Sequence, residues 1–320
     1  MLSRCVKILT LLSGAFLCTT LAAFAALAAE GAPTPTHADV RYGPHARNVL
    51  DFWAAPTASA EQPAPLVVFI HGGGFAKGDK TQVSAKMVQD CLAAGVSFAA
   101  VNYRFRDTAS LPEILRDCAR AIQFLRAQAT ELHLDKTRVA AYGSSAGAGT
   151  SLWLAFHDDL ADPQNADPVL RESTRLVAAG SVSGQFTYDF LRWGELFSDE
   201  LLQKYGRAYT VPAFYGMKTE AELRTPAGLA ARADCDMLAL MKADSPPFFV
   251  SSSLPDLALE TSNQFLHHPT HSQKLYDRAR ELGVPVVANI PALKITPPAD
   301  GPKSLRDFLF LHLGVTAKKK

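Results

Sequence analysis

The chain reads as an α/β protein built on a doubly wound, mostly parallel sheet with a cap-like insertion. Three observations predict this. Continuous apolar runs such as Leu66–Ile70 and Val96–Val101 alternate with amphipathic helical patterns, the pattern of strands covered on both faces by crossover helices. One of these runs passes directly into His71-Gly72-Gly73-Gly74-Phe75. A third run, Ala140-Ala141-Tyr142-Gly143-Ser144-Ser145-Ala146-Gly147, reads as a strand end entering a helix through G-x-S-x-G.

The elements follow in order. Arg4 and Lys7 precede an apolar stretch from Ile8 to Leu27, and Ala26-Leu27-Ala28 is an A-x-A-like cleavage site. Residues 1–28 therefore read as a signal peptide, with an uncleaved N-terminal anchor as the alternative. Residues 29–47 read as a linker. The main domain is expected over 48–315, and residues 316–320 form a basic tail ending in Lys318-Lys319-Lys320.

Within the domain, Asn48–Trp53 is expected as a strand, Leu66–Ile70 as a central one, and about Lys80 to Ala94 as a helix. Val96–Val101 is the next strand. Pro112 opens a long amphipathic helix to about Thr130, because proline is tolerated in a first turn. Arg138–Tyr142 is the strand before the elbow, and a helix continues from Ala146 to about Phe156. Residues 158–245 interrupt the rhythm and read as the insertion, with one core strand near Leu176–Ser183. Phe248–Val250 resumes the core. Gln273–Leu282 reads as a helix, Val284–Ile290 as a strand and Ser304–Leu313 as the last helix.

Composition narrows the function classes. The 320 residues are 48% hydrophobic and 20% charged, with a net charge of +1, so nothing points to nucleic acid. Outside the leader only Cys91, Cys118 and Cys235 remain, which permits at most one disulfide and favours buried free thiols. No metal-ligand spacing appears, and neither a metal nor an organic cofactor is expected.

The glycine-rich strand end and the elbow carry chemistry together. The elbow makes Ser145 the candidate nucleophile. The glycines let backbone N–H groups approach a bound ester and stabilise an oxyanion. On these motifs, with Tyr103-Arg104, Pro112, Asp117 and Asp135-Lys136-Thr137-Arg138, the chain resembles the α/β-hydrolase superfamily. The nearest branches are the hormone-sensitive-lipase-like and the feruloyl and acetyl-xylan esterase-like ones, and the likeness runs from about Asn48 to Leu313. It implies oxyanion donors at Gly73, Gly74 and Ala146, a structural role for His71, and an acid then a histidine after Ser145.

The remaining catalytic members depart from that pattern. Asp256 follows the Phe248–Val250 strand, with Glu260 as the other nearby carboxylate, whereas the family spacing to Gly283 puts Asn263 at the acid's place. The loop after the last strand, residues 291–301, contains no histidine, and His312 reads as a packed helix residue. What remains is His267-His268-Pro269-Thr270-His271, from which His267 or His268 is the candidate base. Phe75, Trp153, Phe186, Tyr188 and Trp193 are candidates for the pocket wall.

The expected function is hydrolysis of small carboxylic esters, with acetyl or feruloyl groups on polysaccharide as candidates, through an acyl-enzyme on Ser145. The other reading is a non-catalytic binding protein that has lost its histidine. The partner is a small-molecule or glycan-linked ester, with no nucleic acid and no stable membrane association after leader cleavage. The expected location is periplasmic or extracellular.

Overall fold

The computed structural model describes residues 31–206, 212–256 and 258–315. The leader expected over 1–28 and the basic tail over 316–320 lie outside the described residues. Among the described residues no helix is long and apolar enough to cross a membrane.

Eight strands form one sheet: β1 His37–Arg41, β2 Val49–Trp53, β3 Ala64–Ile70, β4 Ser97–Val101, β5 Leu134–Ser144, β6 Ala178–Val182, β7 Phe248–Ser251 and β8 Val286–Asn289. Their spatial order is β1-β2-β4-β3-β5-β6-β7-β8. β1 and β2 run antiparallel, and the strands from β4 to β8 are parallel. The helices are α1 Ala85–Ala93, α2 Leu111–Ala127, α3 Ala146–Phe156, α4 Pro226–Asp234, α5 Ser262–His267, α6 Pro269–Leu282 and α7 Leu305–His312, with shorter turns between them.

The central strands are buried where both faces are covered, as in residues 139–143 of β5. Every residue of β3 is buried. Leu66, Val68 and Ile70 face the core that holds α2, α3 and α6, while Val67 and Phe69 face the one that holds α1 and α7. The chain leaves β3 toward β4 on one side and leaves its neighbour β5 toward β6 on the other. The carboxyl ends of β3 and β5 therefore flank the topological switch point, where open α/β sheets leave a crevice.

Two stretches differ from the sequence expectation. The expected linker contains β1, a short edge strand whose largely exposed, polar residues give no apolar signal. The helical pattern from Lys80 to Ala94 divides into a single 3-10 turn, Lys80–Gln82, and α1, which Ser84 caps through the Met87 N–H. The division has an electrostatic cause. Lys80 is buried, with Nζ 2.8 Å from Asp51 Oδ2 and 2.9 Å from Asp39 Oδ1, so it straps the glycine loop to β2 and β1.

The insertion wraps the carboxyl edge of the sheet. Its turns tie to α3 and to one another: the Trp153 indole donates to the Asp234 carbonyl at 2.6 Å, and Arg232 pairs with Asp189 at 2.9 Å. Tyr215 Oη donates to the Tyr188 carbonyl at 2.8 Å. Cys91, Cys118 and Cys235 are buried free thiols.

At the elbow the strand–helix turn closes directly over β3. A Cβ added at Gly147 would meet the carbonyls of Ile70 and His71 inside van der Waals contact, and both are fixed backbone. Gly147→Ala is expected to destabilise the fold by about 3 kcal/mol or more, beyond ordinary overpacking, measured as a lowered urea midpoint. A midpoint equal to wild type would contradict this close approach.

Candidate active site

Ser145 sits between β5 and α3 at φ 53° and ψ −119°, a conformation that a residue with a Cβ adopts only under constraint. The constraint is visible. The Ser145 N–H donates to the Val182 carbonyl of β6 at 3.0 Å, and the glycines on either side let β3 pass close by. The glycine loop lies against the elbow, since a methyl placed on Gly72 would stand 3.3 Å from Ser145 Cβ. Gly73 (φ 114°), Gly74 (φ 62°) and Phe75 (φ 58°) are successive left-handed residues that turn the loop across the strand end. Among the described residues the N–H groups of Gly73 and Gly74 have no carbonyl partner. Ala146, the first residue of α3, lies where helical N–H groups are unpaired.

His71 supports this loop from below. It is fully buried, its ring stacks on Tyr103 at 4.3 Å, and Nδ1 is 2.7 Å from the Gly72 carbonyl. Burial lowers its pKa to about 4, so it stays neutral. Tyr103 Oη donates to the His71 carbonyl at 2.7 Å.

Of the two candidate bases, the structure brings His267 to the serine: Nε2 lies 2.8 Å from Ser145 Oγ. The reason is local. Thr261 and Gln264 form a reciprocal capping box that fixes the first turn of α5. Pro269 disfavours the helical conformation for the residue before it, and His268 accordingly leaves the helix at ψ 139°. His267 is thus the last helical residue and His268 turns away. The final carbonyls of α5, which no intrahelical donor reaches, are held from the core. His271 Nε2 donates to Phe265 at 3.0 Å, Gln185 Nε2 to Leu266 at 2.7 Å and Ser252 Oγ to His267 at 3.4 Å. His271 is fully buried among Phe186, Trp193 and Phe197, and burial lowers its pKa to about 3.

The structure does not place Asp256 or Glu260 against His267. Asp256 lies 3.1 Å from Nε2 of His268. His268 Nδ1 in turn faces Thr270 and caps α6, so the expected base His268 and acid Asp256 form a pair of their own, separate from Ser145. Nδ1 of His267 meets Asn263 instead, 3.0 Å from its backbone carbonyl and 3.0 Å from Oδ1. The signals that separate His267 from His268 were present in the chain: Thr261-Ser262-Asn263-Gln264 sets the helix start, and His268-Pro269 sets its end. Desolvation holds the His267 imidazole below its ordinary range, and the bond to Asn263 offsets this only in part.

Ser145, His267, Gly73, Gly74 and Ala146 share one cleft of about 830 Å³, within the range for small-molecule sites. Phe69, Phe75, Tyr188 and Phe190 give it an aromatic wall, and among the described residues Lys77 is the one lysine, arginine or carboxylate in its lining. Phe75 and Tyr188 stand where the wall was expected. Trp153, Phe186 and Trp193 are buried behind it in the core. Tyr188 Oη donates to the Ala146 carbonyl and so braces the start of α3.

Comparison with known proteins places this geometry in context. The BD-FAE family matches residues 50–190, the stretch from β2 through both motifs to the aromatic wall. The probable carboxylic ester hydrolase LipM of Mycobacterium tuberculosis is 29% identical over 213 residues, covering 66% of this chain and 46% of LipM. The chain thus spans less than half the length of that relative. Among solved structures, a truncated carbohydrate esterase from gut microbiota superposes with a TM-score of 0.66 at 14% identity, over 89% of this chain and all of that one. The acetyl ester-xyloside bifunctional hydrolase of Caldicellulosiruptor lactoaceticus gives 0.55 at 20% identity, over 76% and 77%. Sequence relatives and structural neighbours meet on a single scaffold: residues 50–190 are similar to the BD-FAE family, and the chain has the α/β-hydrolase fold.

Proposed function

We propose that this protein is an exported ester hydrolase that cleaves small acyl esters through an acyl-enzyme on Ser145. The observation that carries the reading is the 2.8 Å contact between Ser145 Oγ and His267 Nε2. It favours turnover over the non-catalytic alternative, because an unassisted serine hydroxyl is a poor nucleophile near neutral pH. Export rests on the leader-like residues 1–28 alone.

The chemistry follows from the geometry. Ser145 Oγ attacks the ester carbonyl carbon while its proton passes to Nε2 of His267. The carbonyl π pair moves to oxygen, and the N–H groups of Gly73, Gly74 and Ala146 receive that oxyanion, each donor worth a few kcal/mol in such sites. Collapse breaks the bond to the alcohol oxygen, which takes the proton back from Nε2. Water then repeats the sequence on the acyl-serine, with His267 again accepting a proton, and releases the acid. The aromatic wall formed by Phe75, Tyr188 and Phe190 beside Ser145 suits a compact acyl group. Two structural neighbours are described as a carbohydrate esterase and an acetyl ester-xyloside hydrolase. On that likeness acetyl esters on a glycan are the proposed substrates, with feruloyl esters as the aromatic variant.

A fluorophosphonate probe tests the nucleophile. Labelling is expected on Ser145 with acetate release from aryl acetates, and both are lost in Ser145→Ala. Absence of an adduct on the folded wild type would sink the reading. The base is tested by comparison: His267→Ala is expected to lower kcat by about 10²-fold or more, whereas Asp256→Asn is expected to stay within about twofold because that carboxylate faces His268. The reverse ranking would move the base to His268.

The pH profile has a definite sign. Neutral His267 is the active form, and desolvation lowers its pKa. The acid limb of kcat/KM is therefore expected below the ordinary imidazole value of about 6.5, with activity retained into mildly acidic solution. A limb above that value would contradict it.

A further inference from the structure

The second nitrogen of the base decides what kind of base it is. Nδ1 of His267 is 3.0 Å from the Asn263 carbonyl oxygen and 3.0 Å from Asn263 Oδ1. A main-chain carbonyl only accepts, whichever way the side-chain amide is turned. Nδ1 therefore carries the hydrogen, and Nε2 directs a lone pair at Ser145 Oγ. An amide standing in for the triad carboxylate ordinarily risks the opposite tautomer, at a cost of about 10⁴ in kcat. Here the same residue supplies both a fixed carbonyl and the amide, four positions before His267 and on the same helical face.

What Asn263 does not supply is charge. On α5 itself there is no carboxylate. At its junction with α6, His268 is paired with Asp256. From α6, His271 is buried and neutral. Across the cleft Lys77 is cationic, and Gln185 and Ser183 are uncharged. Glu260, just before the capping box, is exposed, and among the described residues no carboxylate forms an ion pair with His267.

We propose that Asn263 is the positioning residue of a Ser145–His267–Asn263 set, in which an amide and its own backbone carbonyl replace the carboxylate and the imidazolium formed on Ser145 attack is left without a counter-charge. The proposal rests on the hydrolase reading above, and its test is readable apart from it. The His267 ring is followed by NMR in ring-labelled protein across the acidic and neutral range, its resonance assigned by loss in His267→Gln. In Asn263→Asp the carboxylate beside Nδ1 is expected to raise the His267 titration by about one to three units. The acid limb of kcat/KM rises with it. In Asn263→Ala the backbone acceptor persists, so kcat is expected to fall by about tenfold to a hundredfold with KM unchanged. A His267 titration unmoved in Asn263→Asp overturns the proposal. So does an Asn263→Ala variant that changes KM alone, which would make Asn263 a lining residue. If the wild type hydrolyses no ester, the ring titration still decides the placement of Asn263, and only the hydrolase reading fails.

Discussion

The chemistry proposed for this cleft depends on how α5 is held. A six-residue helix has too few internal hydrogen bonds to fix its own position. Its orientation comes from its two ends. The Thr261–Gln264 capping box sets the first turn, and the last three carbonyls are taken by His271, Gln185 and Ser252. These donors come from α6, from the segment after β6 and from the end of β7, so three separate parts of the sheet's carboxyl edge converge on one turn. His271 is the most constrained of them. Fully buried and kept neutral, it offers one N–H, and that N–H goes to the turn just before His267. Remove the anchors, and the 2.8 Å contact with Ser145 has nothing to maintain it.

The elbow supplies the complementary constraint. Ser145 is held at positive φ because β3, β6 and the glycine loop leave its backbone no alternative path. Backbone strain of this kind costs on the order of 1–3 kcal/mol and persists only where the surroundings over-determine it. The surroundings here are the switch point of the sheet, braced beneath by His71 on Tyr103 and at the side by the buried Lys80 pairing with Asp51 and Asp39. The proposed nucleophile and base are therefore held separately around one cleft, the first by close backbone approach and the second by side chains that anchor the last turn of α5.

This division explains what could be read from the chain. The sheet was legible because strand segments covered on both faces must be apolar, and β3, β4 and residues 139–143 of β5 are buried in this way. The elbow and the glycine loop were legible because close backbone approach admits almost nothing but glycine at Gly143 and Gly147. β1 was not legible, since an exposed edge strand of His37-Ala38-Asp39-Val40-Arg41 needs no apolar pattern. At the site, the histidine cluster was visible, while its phase rested on the subtler boundary signals at Thr261–Gln264 and His268-Pro269. Choosing between His267 and His268 requires helix boundaries, and adjacent residues on a helix face directions about 100° apart. Asp256 was a natural candidate by residue type, yet position is set by where α5 begins, and that brings Asn263 to the ring.

A neutral partner for the base has a consequence that reaches beyond geometry. A carboxylate on Nδ1 would stabilise the imidazolium and raise the affinity of Nε2 for the serine proton. It would also bring a second charge into a cleft whose lining, among the described residues, holds Lys77 as its only ordinarily charged group. In the proposed mechanism, with Asn263 in that place, proton transfer from Ser145 has less driving force, and more of the rate comes from the oxyanion donors and from alignment. The same choice keeps His267 in its free-base form at lower pH, since desolvation opposes protonation and no counter-charge restores it. A site of this kind gives up proton affinity at neutral pH in exchange for range on the acid side. The glycine loop and the strained elbow, which need no proton to be in place, then carry a larger share of the proposed catalysis than a carboxylate-backed set would ask of them.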